Sequence, residues 1–181
     1  MNLLLKNCHT VATMVDGAKP LRGVDILLEG GKISAVGPGL QAGEGTRIID
    51  ASTCVVYPGF VNTHHHLYQT LTRNIPAVQN AKLFDWLVGL YEIWRELDTE
   101  AIEVSTQVGV GELLLSGCTT TTDHFYVFPR GAPQEFLDVE IEVALGLGAR
   151  FHPTRGSMSR GRSQGGLPPD DVVQDPETIL K

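Results

Sequence analysis

Apolar and polar positions change their rhythm once along this chain, near Pro58-Gly59. Before that point, short apolar runs alternate with polar breaks: Leu3 to Leu5, Val24 to Leu28, Lys32 to Val36, Arg47 to Asp50 and Cys54 to Tyr57 read as strands. Gly30-Gly31 separates two of them at the two-residue spacing of a tight hairpin, where positive φ costs glycine little. Phe60-Val61-Asn62-Thr63 adds an apolar-led strand that runs into His64, His65 and His66. The period then lengthens. Leu83, Trp86, Leu87, Leu90, Ile93, Trp94 and Leu97 recur at three- and four-residue steps, which predicts one amphipathic helix. Asp98 or Thr99 is the expected cap of a second helix over Glu100 to Ser116, closed by Gly117. The β-branched run from Thr119 to Asp123 predicts a buried strand. A third helix over Gln134 to Leu147, burying Phe136, Val139, Val143 and Leu147 and ending near Gly148, leads into a strand over Arg150 to Thr154.

Strand, helix, strand, helix, strand is the order expected of an α/β chain whose parallel strands are joined by helical crossovers. No Gly-X-Gly-X-X-Gly follows any of these strands, which disfavours a dinucleotide-binding sheet and leaves a (β/α)8 barrel ahead. A complete barrel takes about 250 residues, and the chain after Tyr57 supplies about half of that. The expectation is two parts: residues 1–57 as part of a small β-sandwich, and residues 58–181 as the first strands and helices of an incomplete barrel. Pro176 to Lys181 reads as a first helical turn cut short, as in a fragment, and Gly156 to Pro169 reads as a loop rich in Gly, Ser and Arg.

Composition narrows the class. With 42% hydrophobic and 19% charged residues, the 181-residue chain reads as an ordinary soluble globular protein. Its net charge of −7, with scattered cations, argues against nucleic acid as a partner. The three-residue apolar run before Lys6 is too short for a signal peptide, and no stretch nears the roughly 20 apolar residues of a membrane span. Cys8, Cys54 and Cys118 are odd in number and lack a Cys-X-X-Cys pair, so they are expected to be reduced and buried in a cytoplasmic protein.

Candidate chemistry concentrates in the histidine run. Alternation along a strand puts His64 and His66 on one face and His65 on the other, so the outer two can share a metal. Two imidazoles at that spacing suit Zn²⁺ or another borderline divalent ion, and the C-terminal end of a barrel strand is where barrel active sites lie.

The run YPGFVNTHHHLYQ resembles the first-strand motif of the amidohydrolase superfamily. HHHLYQTLTR, LYEIWREL, LLLSGCTTTTDHFY, GSMSRG and GGLPPDDVV are similar to 8-oxoguanine deaminases within it, with guanine deaminases and hydroxytriazine aminohydrolases as relatives. The resemblance implies a β-sandwich joined to a TIM-like (β/α)8 barrel, with metal held through His-X-His, here His64 and His66. It also implies one divalent ion, zinc or alternatively iron(II), that activates water to attack an electron-poor ring carbon. For 8-oxoguanine the products would be urate and ammonia; guanine and hydroxyatrazine-type triazines are the alternative substrates. A further histidine and aspartate ligand, and the acid/base glutamate and histidine, are expected beyond Lys181. The fragment alone is then expected to bind metal weakly and to be inactive, and the full-length enzyme to be a homo-oligomer acting on a small heteroaromatic substrate. A non-catalytic truncated binding module is the reading from another class.

Other residues carry two readings each. Gln69 follows His66 by three, where guanine deaminases carry a glutamine that touches the purine; otherwise it is a polar helix-start residue. Tyr68 is a candidate for stacking on substrate or for packing. His124, after the Thr-rich strand, is a substrate-site candidate or a structural loop histidine. Arg155 either donates to a ring carbonyl oxygen or holds the loop that follows it. Trp86 and Trp94 are expected in the core or a subunit contact, His152 and His9 outside the site, and Asp170-Asp171 as solvated charge or a helix start.

Overall fold

The computed structural model describes residues 2–132 and 135–180, in two compact units, Met1–Pro58 and Gly59–Lys181.

In the first unit, β1 (Leu3–Cys8), β3 (Val24–Glu29), β4 (Lys32–Gly37) and β5 (Arg47–Asp50) form one sheet in the order β4-β3-β1-β5. A second, two-stranded parallel sheet pairs β2 (Thr10–Val11) with β6 (Val55–Val56). The β3–β4 hairpin pairs Glu29 with Lys32 and turns on Gly30 and Gly31 at φ 56° and 77°. β1 runs antiparallel to β3 and parallel to β5, and its pairing with β3 is interrupted by an irregularity between Leu5 and Cys8. Asn7 sits there at φ 57°, and its amide donates to the buried Asp25 carboxylate at 2.7 Å. The Leu40 amide at 2.9 Å and the Lys6 ammonium at 3.2 Å complete the Asp25 shell, so a buried charge is fully partnered. Cys8, Val11, Ile26 and Ala51 form the core of this unit. Cys8 and Cys118 are buried as expected, but Cys54 is exposed, a correction: its amide closes a tight turn onto the Ala51 carbonyl, and the side chain faces out.

In the second unit, β7 (Phe60–Asn62), β8 (Cys118–Phe125) and β9 (Arg150–Arg155) form a parallel sheet in chain order. Between β7 and β8 the chain makes α1 (Leu83–Trp94) and α2 (Thr99–Leu115), and between β8 and β9 it makes α3 (Phe136–Gly146). Asp98 caps α2 by accepting the Ala101 amide at 2.8 Å, and Gly117 follows the helix at φ 87°. Two predicted helical faces are rotated. On α1 the buried positions are Leu90, Tyr91 and Trp94, while Leu83 and Ile93 are exposed; on α3 they are Phe136, Glu140 and Ala144, while Leu147 is exposed. An apolar stripe several residues wide leaves the contact centre open, and packing against the sheet chooses it. Gln134, where the third helix was expected to begin, lies outside the described residues. The central core joins Tyr68, Leu90, Trp94, Ile102, Phe125, Val127, Phe136 and Val172. The loop after β9 is tied to α1 through Arg95, which bonds both Glu92 and Asp171, and through Arg162, which pairs with Glu92 at 2.6 Å.

Candidate metal centre

β7 stops pairing at Asn62, so the histidines lie just past the strand rather than within it. Asn62 marks that end: its side-chain amide donates to Thr121 Oγ1 at 3.1 Å. The next residues stay clamped to β8 by other bonds. The His65 carbonyl accepts the His124 amide at 3.0 Å, His66 Nδ1 lies 2.7 Å from the His124 carbonyl, and the Leu67 amide donates to Asp123 Oδ1 at 2.6 Å. A 3-10 turn over Leu67–Thr72 then carries the chain away.

Past the strand the three side chains separate only in part. The His64 and His66 rings sit 5.1 Å apart, centroid to centroid, nearly perpendicular, and both border a cavity of about 370 Å³ that His65 also borders, together with Thr122, Asp123, His124 and Thr154. His65 turns toward α2, its Cε1 lying 3.8 Å from where a Cβ on Gly109 would stand, with a buried Nδ1 that meets no protein partner. A carbonyl only accepts, so His66 Nδ1 carries the proton and Nε2 keeps its lone pair. Burial holds the His66 imidazole below its ordinary pKa, which favours this neutral form. Among the described residues no group of three or more histidine, cysteine, aspartate or glutamate side chains is arranged to hold a metal.

His124 is fixed in the same manner. Thr154 Oγ1 donates to the Asp123 carbonyl at 3.0 Å, which leaves it to accept from His124 Nδ1 at 2.7 Å. His124 is exposed and its Nε2 is uncommitted to that contact. Period-two alternation along β8 sends Thr122 and His124 to one face and Thr121, Asp123 and Phe125, all buried, to the other. Asp123, which borders the cavity, interacts with the fully buried Glu140 of α3, each carboxyl acting on the other. Burial, then the charge and hydrogen bond of Asp123, push the Glu140 carboxyl well above the usual carboxylate range; burial also raises Asp123.

A sequence model of the amidohydrolase family matches residues 55–178. The chain belongs to the amidohydrolase family. Members of this metal-dependent family similar to this chain include 8-oxoguanine deaminase of Pseudomonas aeruginosa, 56% identical over 131 residues, covering 72% of this chain and 29% of that protein. An isoxanthopterin deaminase from an unidentified prokaryote is 36% identical and covers 97% of this chain and 37% of that protein. The crystal structure of an atrazine chlorohydrolase from Arthrobacter aurescens TC1 complexed with zinc superposes with a TM-score of 0.86 at 33% identity, covering 98% of this chain and 41% of that one. The chain thus spans well under half the length of the relatives it matches.

In this amidohydrolase chain the fold brings His64, His66 and His124 together around one cavity. Tyr68 is not on that cavity. It is 1% exposed, packed edge-on against Trp94 and Phe125, with its hydroxyl 3.3 Å from Gln69 Nε2. Gln69 is half-buried beside it and does not line the cavity either. Arg155 lies elsewhere, stacked over Phe128 at 4.3 Å and bonded to the Gly156 carbonyl and to Gln174 Oε1, on a separate cavity of about 610 Å³. For Tyr68 and Arg155 the structure displays the second of the two expected readings, packing for the phenol and holding the loop after β9 for the guanidinium. Trp94 is fully buried and donates to Thr72 Oγ1, and Trp86 packs beside it. Exposed His152 and His9 stay outside the cavity. Asp171 accepts from Arg95 and Asp170 from Ser163, so the pair anchors a loop instead of standing as free charge. Sequence reasoning passed over Asp123, Thr154 and Glu140. The one legible signal was Glu140 itself, a carboxylate four residues from both Phe136 and Ala144 on a helix face.

Proposed function

We propose that the full-length protein is a metal-dependent hydrolytic deaminase of a purine-like ring, with 8-oxoguanine, giving urate and ammonia, as the preferred substrate. The observation that carries this reading is the His66 bond to the His124 carbonyl, which presents Nε2 beside His64 on one cavity. In this proposal His64 and His66 hold one divalent ion, zinc by the chemistry of the donor pair and by the zinc-bound relative. The chemistry such an ion supplies when bound is activation of water at neutral pH. The chain's own residues do the rest: His66 Nδ1 keeps its proton on the His124 carbonyl, and His124, held by Thr154, borders the same cavity beside His66 as a group for the substrate. β7, β8 and β9 are read as the first three strands of a (β/α)8 barrel within residues 58–181, with residues 1–57 as part of a β-sandwich.

The substrate assignment rests on the 56% identity to an 8-oxoguanine deaminase. A triazine substrate is the second reading, supported by the superposition on an atrazine chlorohydrolase. Ammonia release by the metal-loaded full-length protein from 8-oxoguanine, guanine, isoxanthopterin and hydroxyatrazine separates them. The highest kcat/KM is expected on 8-oxoguanine, and absence of turnover on all four refutes the proposal.

A further inference from the structure

The carboxyls of Asp123 and Glu140 are given no part in the function proposed above. Both side chains are withdrawn from solvent, Asp123 and Glu140 each at 0% exposure. Asp123 Oδ1 is committed to the Leu67 amide at 2.6 Å. Asp123 Oδ2 and both Glu140 carboxyl oxygens, by contrast, meet no protein donor. Among the described residues no lysine, arginine or histidine forms an ion pair with either group.

Two adjoining ionised carboxylates in such a place would carry desolvation and mutual repulsion with nothing to offset them. A single proton held between the pair removes the repulsion and the desolvation of one carboxylate, and it links Asp123 Oδ2 to one of the two Glu140 oxygens. It belongs mainly to Glu140: the Leu67 amide favours the ionised form of Asp123, and nothing comparable favours a charged Glu140. The arrangement has a consequence for the histidines, because Leu67 is the residue after His66. The amide of Leu67 and the ring of His66 are held by consecutive residues of β8, Asp123 and His124.

We propose that Glu140 is a positioning residue for the histidine turn: its carboxylic acid, sharing one proton with Asp123, fixes the carboxylate that holds the Leu67 amide and so orients the His66 ring. This deepens the functional proposal only in taking His66 as a ligand; the carboxyl pair and the turn exist without metal or substrate, and they are tested without either.

The test uses the purified, metal-free protein at neutral pH. Difference infrared spectra with ¹³C-labelled glutamate are expected to show a protonated carboxyl C=O band that vanishes in Glu140→Gln. In nuclear magnetic resonance spectra the Leu67 amide is expected well downfield. Its hydrogen exchange should speed up by about tenfold or more in Glu140→Leu, which leaves Asp123 Oδ2 without a donor. Glu140→Gln restores a donor and should keep the exchange rate and the His66 ¹⁵N shifts near those of the parent. A purely structural role would make both variants alike. The inference is overturned if the parent shows no protonated-carboxyl band, or if a folded Glu140→Leu leaves Leu67 and His66 unchanged. Should Glu140→Leu fail to fold, the parent spectrum and the Glu140→Gln rescue still decide. A negative deaminase assay leaves these outcomes untouched, so the two readings fail separately.

Discussion

His66 and His124, 58 positions apart, are joined by a 2.7 Å bond from an imidazole Nδ1 to a backbone carbonyl. A backbone acceptor cannot be removed by replacing a side chain, so β8 determines which nitrogen of His66 faces the cavity whatever residue stands at 124. Anything that displaces β8 or its neighbours is therefore expected to act on His66.

Alanine at His64 or His66 is expected to abolish turnover and metal uptake by the full-length protein while leaving its circular dichroism unchanged. His65→Ala should retain metal and lose activity only modestly, because His65 faces α2. Metal content measured beside kcat tests this, and equal loss of metal at all three positions would contradict the division of faces.

Gly156 tests the placement of the His124 ring. A Cβ there would fall 2.6 Å from His124 Cε1 and 2.8 Å from Tyr126 Cβ, closer than atoms tolerate. Gly156→Ala should push the His124 ring off Thr154 and lower kcat/KM of the full-length protein by about a hundredfold, the order expected for a displacement near 1 Å. Unaltered kinetics would remove His124 from the proposed substrate wall.

Acid stability should depend on Asp25. The Asn7 amide first, then Lys6 and the Leu40 amide, hold its carboxyl below the ordinary range. A depressed acid pKa means the unfolded chain binds the proton more readily, so this contribution is present above the unfolded value of about 3.9 and is lost as pH falls through the folded one. Urea titrations from pH 7 to pH 2 should show a shallower acid limb for Asp25→Asn than for the parent.

Glu140 acts with the opposite sign. Its raised pKa makes the folded state the better proton binder, so its contribution is complete below the unfolded value of about 4.3 and declines as pH rises toward the folded one. Between the acid range and pH 9, Glu140→Gln should flatten the fall in stability with pH; an unchanged slope would show that Glu140 is ionised in the fold.

Removing the α2 cap gives a local control. Asp98→Ala deletes the acceptor of the Ala101 amide and should cost about 1 kcal/mol in denaturant titrations, without touching the histidines.

Local chemistry was legible in the chain. The hairpin at Gly30-Gly31, the Asp98 cap, the stop at Gly117 and the alternation of three parallel strands with helices follow from φ preferences, short-range hydrogen bonds and side-chain period, all of which act within a few residues. The expected division of His64 and His66 from His65 is only partial: the outer two rings pack together and His65 Cε1 reaches toward Gly109, yet all three residues border one cavity. Tertiary packing alone decided the rest. Tyr68 went to the core and Arg155 to the loop beyond β9 because each found partners there that its own neighbours in sequence do not reveal. The proton position on His66 and the shared proton of Asp123 and Glu140 depend on groups brought together by β8 and α3, and burial strengthens both interactions by excluding the water that would otherwise satisfy them.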